Sequence, residues 1–110
     1  MVLINFAGKE REIRFDFNAI CAIEEISGKP LQEVMTRGNA GFNTIRMLLW
    51  AGLRHDNKLI SMERAGELIQ GYITTGGKID EIMIKVMDAL EQSGITSSFE
   101  ENEVAETEGE

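Results

Sequence analysis

Asn43-Thr44-Ile45-Arg46-Met47-Leu48-Leu49-Trp50-Ala51-Gly52-Leu53-Arg54 is the stretch from which the rest of the chain is best read. On a helical wheel Ile45, Leu48, Leu49 and Leu53 share one face, and Met47, Trp50 and Ala51 occupy the other, so the segment is apolar nearly all round. A helix of this kind is enclosed by its own protein, or it faces the core on one side and a partner on the other. The polar run His55-Asp56-Asn57-Lys58 closes it as a loop.

Downstream, Ser61 is placed to cap a helix whose apolar positions Met62, Ala65, Leu68, Ile69, Tyr72 and Ile73 form a single stripe, predicting an amphipathic, peripheral element. Thr74-Thr75-Gly76-Gly77 breaks the chain. A last helix from Ile79 to Ser93 then presents Ile79, Ile82, Met83, Val86, Met87 and Leu90, carries Asp80 and Glu81 in the first turn where the helix dipole favours them, and stops at Gly94. Upstream, Asp16 or Asn18 can cap a helix that runs to Ser27 and ends at Gly28, with Phe17, Ile20, Cys21, Ala19, Ile23 and Ile26 on its apolar arc and Glu24 in the middle of it. Pro30 fits the first turn of a short helix from Leu31 to about Thr36, followed by a loop, Arg37-Gly38-Asn39-Ala40-Gly41. At the start, residues 2–6 and 11–17 flank Ala7-Gly8-Lys9-Glu10, and the alternation of Ile13, Phe15 and Phe17 predicts a β-hairpin with one covered face. A lone hairpin is marginal in water, so that face must lie on helices. The expected fold class is α+β and mainly α: an N-terminal hairpin on four to five helices in a single domain over 1–95, followed by a disordered acidic tail over 96–110.

With 110 residues, 43% hydrophobic and 27% charged, the chain has ordinary globular composition and room for one domain plus a tail. Its net charge of −8 is unevenly placed, because six of the 19 acidic residues (Glu100, Glu101, Glu103, Glu106, Glu108 and Glu110) fall in the last eleven positions, which hold no Lys or Arg. Residues 1–99 keep 13 acidic against 11 basic side chains and are close to neutral. No concentrated basic surface exists to hold phosphate backbones, so nucleic acid is not an expected partner, and a helix-turn-helix regulator is disfavoured. The tail has only Phe99, Val104 and Ala105 as apolar side chains, too few to offset ordering entropy. Neither a signal peptide nor an 18-residue apolar run is present, so the expectation is a cytoplasmic protein with no membrane contact.

Catalytic chemistry has little to stand on. His55 is the only histidine, Cys21 the only cysteine, and no nucleophile elbow, phosphate loop or dinucleotide fingerprint occurs. No metal-ligand spacing is found, so no catalytic residue, cofactor or metal is expected. Cys21 reads as a small buried hydrophobe, His55 as a solvated loop residue, and Glu24 as a carboxylate paired with Arg14, Arg46 or Arg54. Methionines adapt to irregular partners, and tryptophan is a common interface anchor. Met47, Trp50, Met83 and Met87 are therefore the candidate partner-interface residues.

Arg14-Phe15-Asp16-Phe17-Asn18-Ala19-Ile20-Cys21-Ala22-Ile23-Glu24-Glu25 ending in Gly28, followed by Ile45-Arg46-Met47-Leu48-Leu49-Trp50-Ala51-Gly52-Leu53-Arg54 and the Ser61-to-Ile73 segment, resembles the small tail assembly chaperones of long-tailed phages. The similarity is to the group related to a gene transfer agent protein that is also labelled a tail tube protein, and it covers roughly residues 2–75. Cys21 and Ile23 stand where the family pattern has Leu-like residues, both apolar exchanges. The resemblance implies a non-enzymatic role: binding the tape measure protein, helping tail tube protein polymerise around it, self-associating as a homo-oligomer, and leaving before the virion is finished. It places the chain in the cytoplasm of a host bacterial cell, and some members also have a longer, frameshifted product. The alternative is a structural tail subunit, a tube or connector protein. Tubes are built from sheets, whereas only about a dozen residues here read as strand.

Overall fold

The computed structural model describes residues 1–35 and 41–95. An antiparallel hairpin, β1 (Val2–Phe6) and β2 (Lys9–Ile13), precedes five helices: α1 (Phe17–Ser27), α2 (Leu31–Val34), α3 (Phe42–Leu53), α4 (Met62–Thr74) and α5 (Ile79–Ser93). The fold is α+β and mainly α. The proposed tail over 96–110, and most of the loop read at 37–41, lie outside the described residues.

The hairpin is tighter than the sequence suggested. Phe6 pairs with Lys9, leaving Ala7 and Gly8 as the whole turn, both with positive φ (56° and 78°). A two-residue turn with that handedness matches the natural twist of the strands, and glycine at the second position adopts it without strain. Asn5 Oδ1 accepts the Gly8 N–H at 3.1 Å and steadies the turn. Register then puts Val2, Ile4 and Phe6 on the covered face, with Ile13 opposite Val2. Where the alternation predicted strand through Phe17, β2 stops at Ile13. Asp16 instead caps α1, its Oδ1 accepting the Ala19 N–H at 2.8 Å, and this turns the chain so that Phe15 is buried while Phe17 is 70% exposed.

α3 is the centre of the domain. Ile45, Met47, Leu48, Leu49, Ala51, Gly52 and Leu53 are all buried, so of the two readings of an all-round apolar helix the enclosed one holds. α1, α4, α5 and β2 pack around it, and β1 lies on α4 and α5. Phe6, Ile23, Leu48, Leu49, Ile82 and Val86 are fully enclosed, and removing each such side chain from water contributes about 1.5–3 kcal/mol. At Gly52 the hairpin side approaches closely: a Cβ there would sit 2.7 Å from Ile13 Cγ2 and 3.1 Å from Phe15 Cζ, and the Gly52 carbonyl accepts the Arg14 N–H at 2.9 Å.

The helix faces depart from the wheel in detail. On α1 the buried set is Ala19, Ile20, Ala22 and Ile23; Ile26 is exposed and Cys21 only half-buried, so Cys21 is not the enclosed hydrophobe expected. α4 is amphipathic as read, with Ala65, Leu68 and Ile69 inward, but Ile73 at the end of the stripe is exposed. α5 buries Ile82, Val86, Ala89 and Leu90.

Candidate partner-binding surface

The first turn of α3, one edge of α4 and the loop into α5 enclose an open groove of about 590 Å³. Phe42, Asn43 and Arg46 line it from α3, Gly66, Ile69 and Ile73 from α4, and Gly77, Lys78 and Ile79 from the loop and the start of α5. The local sequence explains its shape. Gly66 lets the Arg46 stem lie close against α4, since a Cβ at 66 would be 3.3 Å from Arg46 Cδ. Gly77 has the Tyr72 ring where its own side chain would be, and its N–H donates to the Tyr72 carbonyl at 2.8 Å. Two glycines thus allow the close approach of Arg46 to α4 and of the α4–α5 loop to Tyr72. Phe42 is 79% and Ile73 43% exposed, so the groove offers apolar surface to water.

Its charge is one-sided. Among the described residues Arg46 and Lys78 line it, and no carboxylate does. Arg46 donates from a terminal nitrogen to Asn43 Oδ1 at 3.3 Å, and its Nε is buried with no hydrogen-bond partner. Near the rim, Glu81 Oε1 accepts both the Lys78 N–H (3.1 Å) and the Tyr72 hydroxyl (2.8 Å). The Lys78 amide, then the Tyr72 hydroxyl, hold the Glu81 carboxyl below its ordinary range, and the same carboxylate raises the Tyr72 phenol. Tyr72 also meets Phe6 edge to face, ring centres 5.7 Å apart, which ties this corner to the hairpin.

None of the four interface residues named from sequence lines the groove. Met47 is buried in the core. Trp50 is half-buried, its Nε1–H donating to the Ile60 carbonyl at 2.9 Å and its ring lying 5.0 Å from the Arg54 guanidinium. Met83 is half-buried against the core. Met87 is 42% exposed, one turn from Ile84 (60%) on the outer side of α5. The groove residues had been read as core stripe (Ile69, Ile73, Ile79) or as a salt-bridge arm (Arg46). Phe42, one position ahead of the expected helix start, was the overlooked signal.

Other sequence expectations find different partners. Glu24 does not meet an arginine; its Oε2 accepts the Leu31 N–H at 2.7 Å, supplying the side-chain bond that Pro30 cannot give to the start of α2. A free N–H nearby satisfies a half-buried carboxylate without a second charge. His55 is not a solvated loop residue: it is half-buried, with Nε2 2.8 Å from the Glu12 carbonyl, an acceptor that requires the proton on Nε2. It joins the end of α3 to β2. A smaller polar cleft of about 300 Å³ is lined by His55, Asp16, Arg54 and Lys58, where Asp16 Oδ1 caps α1 and His55 Nε2 is bonded to the Glu12 carbonyl. Among the described residues, no three His, Cys, Asp or Glu side chains cluster as metal ligands, and no helix is long and apolar enough to cross a membrane.

What fold and site define together is a small helical domain with an N-terminal hairpin and an open, cation-rimmed apolar groove. Compared with family models, curated proteins and solved structures, the chain matches none.

Proposed function

We propose that this chain is a non-enzymatic phage tail assembly chaperone that receives a helical segment of the tape measure protein in the groove formed by α3, α4 and the α4–α5 loop, and assists tail tube protein in polymerising around it. The observation that carries the reading is the groove itself, where Phe42 and Ile73 present apolar surface beside Ile69 and Ile79. An amphipathic helix lays residues spaced i, i+3, i+4 and i+7 into such a groove, and exposed apolar area of this kind on a small domain marks an exchange surface. The resemblance of residues 2–75 to the tail assembly chaperones supplies the client's identity. Self-association, residence in the host bacterial cytoplasm and absence from the finished virion belong to the same proposal.

Among the described residues only ten are in strands, which weighs against the other reading, a tube or connector subunit. The test is co-expression with the long helical tape measure protein of the same genome. The proposal expects that protein to become soluble and to co-purify. A client that stays insoluble beside a folded partner would overturn the reading and bring the structural subunit forward.

A further inference from the structure

The groove lies at the start of α5, since Lys78 and Ile79 line it, and it combines an apolar floor with two cations from different elements, Arg46 and Lys78. The chain itself contains a segment of complementary composition. Beyond Ile95 the sequence reads Thr96-Ser97-Ser98-Phe99-Glu100-Glu101-Asn102-Glu103-Val104-Ala105-Glu106, in which Val104-Ala105 is a short apolar pair bracketed by carboxylates. We infer that Glu103-Val104-Ala105-Glu106 docks in the groove of its own chain, with Val104 and Ala105 on Ile73 and Ile79 and the two glutamates at Arg46 and Lys78.

Reach selects this segment over Phe99. α5 has 15 residues and so carries the chain about 22 Å away from the groove at ~1.5 Å per residue. The four residues from Ile95 to Phe99 span at most about 14 Å, too short to return, whereas the nine to Val104 span about 30 Å. Charge selects it over a basic or neutral occupant. Among the described residues no carboxylate lines the groove, Glu81 is held by Tyr72 and the Lys78 backbone, and the Arg46 and Lys78 side chains are its charges. A carboxylate is the complement to those two cations, and a tethered one competes at high effective concentration even when its intrinsic affinity is low. The contact stands whether or not a client also uses the groove. If one does, the tail is the occupant it displaces.

The test uses the full chain with Cys21→Ala and Thr107→Cys, a nitroxide attached at 107, and amide spectra recorded at low salt and at 1 M NaCl. Docking predicts loss of the Ile73, Lys78 and Ile79 amide signals at low salt. The signals should recover at 1 M, where screening shortens the range of charge interactions to about 3 Å, and also in a Lys78→Glu variant whose other signals are unchanged. Mixing nitroxide-labelled chains with separate isotope-labelled chains should give no loss. No loss in the doubly labelled chain at low salt would overturn the inference. Equal loss in the mixed sample would also overturn it, assigning the groove to the tail of a second copy. Comparing the same amides between the unmodified chain and a Glu103→Gln, Glu106→Gln variant gives the answer without the label: shifts confined to the groove support docking, and identical spectra refute it.

Discussion

Replacing Gly52 with alanine tests the packing of the hairpin side on α3, because the same substitution has opposite consequences at two helical sites. In an open helix interior, glycine to alanine stabilises by roughly 0.5–1 kcal/mol through the chain's lost freedom in the unfolded state. Gly71 on α4 is such a site, with nothing within 4 Å of an added Cβ. At Gly52 the new methyl would stand 2.7 Å from Ile13 Cγ2 and 3.1 Å from Phe15 Cζ, against a comfortable carbon separation of about 3.5–4.0 Å. Ile13 is 1% and Phe15 3% exposed, so neither has open space to move into. Overpacking of this kind costs about 1–3 kcal/mol, which cancels or exceeds the helical gain. The expected result is that Gly71→Ala raises stability by roughly 0.5–1 kcal/mol and Gly52→Ala lies about 1–3 kcal/mol below it. Urea unfolding followed by circular dichroism at constant slope reads both. Equal stabilisation by the two substitutions would refute the close approach of β2 and Phe15 to α3.

Removing the Asp16 cap by Asp16→Ala should lower stability by about 1 kcal/mol in the same unfolding assay, since the Ala19 N–H loses its acceptor. Trp50→Phe should cost about 0.5–1.5 kcal/mol, because the Ile60 carbonyl loses its indole donor; an unchanged midpoint would mean that this bond is not formed. Tyr72→Phe should raise the titration midpoint of Glu81, followed by carboxyl NMR. A carboxylate depressed in the folded state contributes stability above its ordinary value of 4.5 and loses it as pH falls through the lower folded value. The variant should therefore show a smaller acid-dependent loss from this group, and a Glu81 midpoint identical to wild type would contradict the hydrogen bond.

Much of the fold was legible because three signals agreed locally. The caps at Asp16 and Ser61, the stop at Gly28 and the single stripes of α4 and α5 placed the helices to within a residue or two, and the all-round apolar Ile45-to-Leu53 run identified the central one. The strand-to-helix join was harder to read. Phe15 and Phe17 continue the alternation of Ile13, so period-two patterning points to a strand, and only the bond from Asp16 to Ala19 decides that the chain turns. The groove was illegible for a related reason. A wheel assigns Ile69, Ile73 and Ile79 to apolar faces, but whether an apolar residue is covered depends on what packs against it, and Ile73 stays 43% exposed where Ile69 is buried. Glu24 and His55 found backbone partners that lie 7 and 43 residues away in sequence, contacts that no spacing rule supplies.

The central claim, that this groove holds a tape measure helix, is tested most directly by co-expressing that client with three forms of the chain. Wild type and Leu59→Asp, which changes an apolar residue outside the groove that is more exposed than either Phe42 or Ile73, should yield soluble client that co-purifies. The pair Phe42→Asp with Ile73→Asp should fold with unchanged helicity and lose the client. Client retained by the groove pair, or lost equally with Leu59→Asp, would contradict the account.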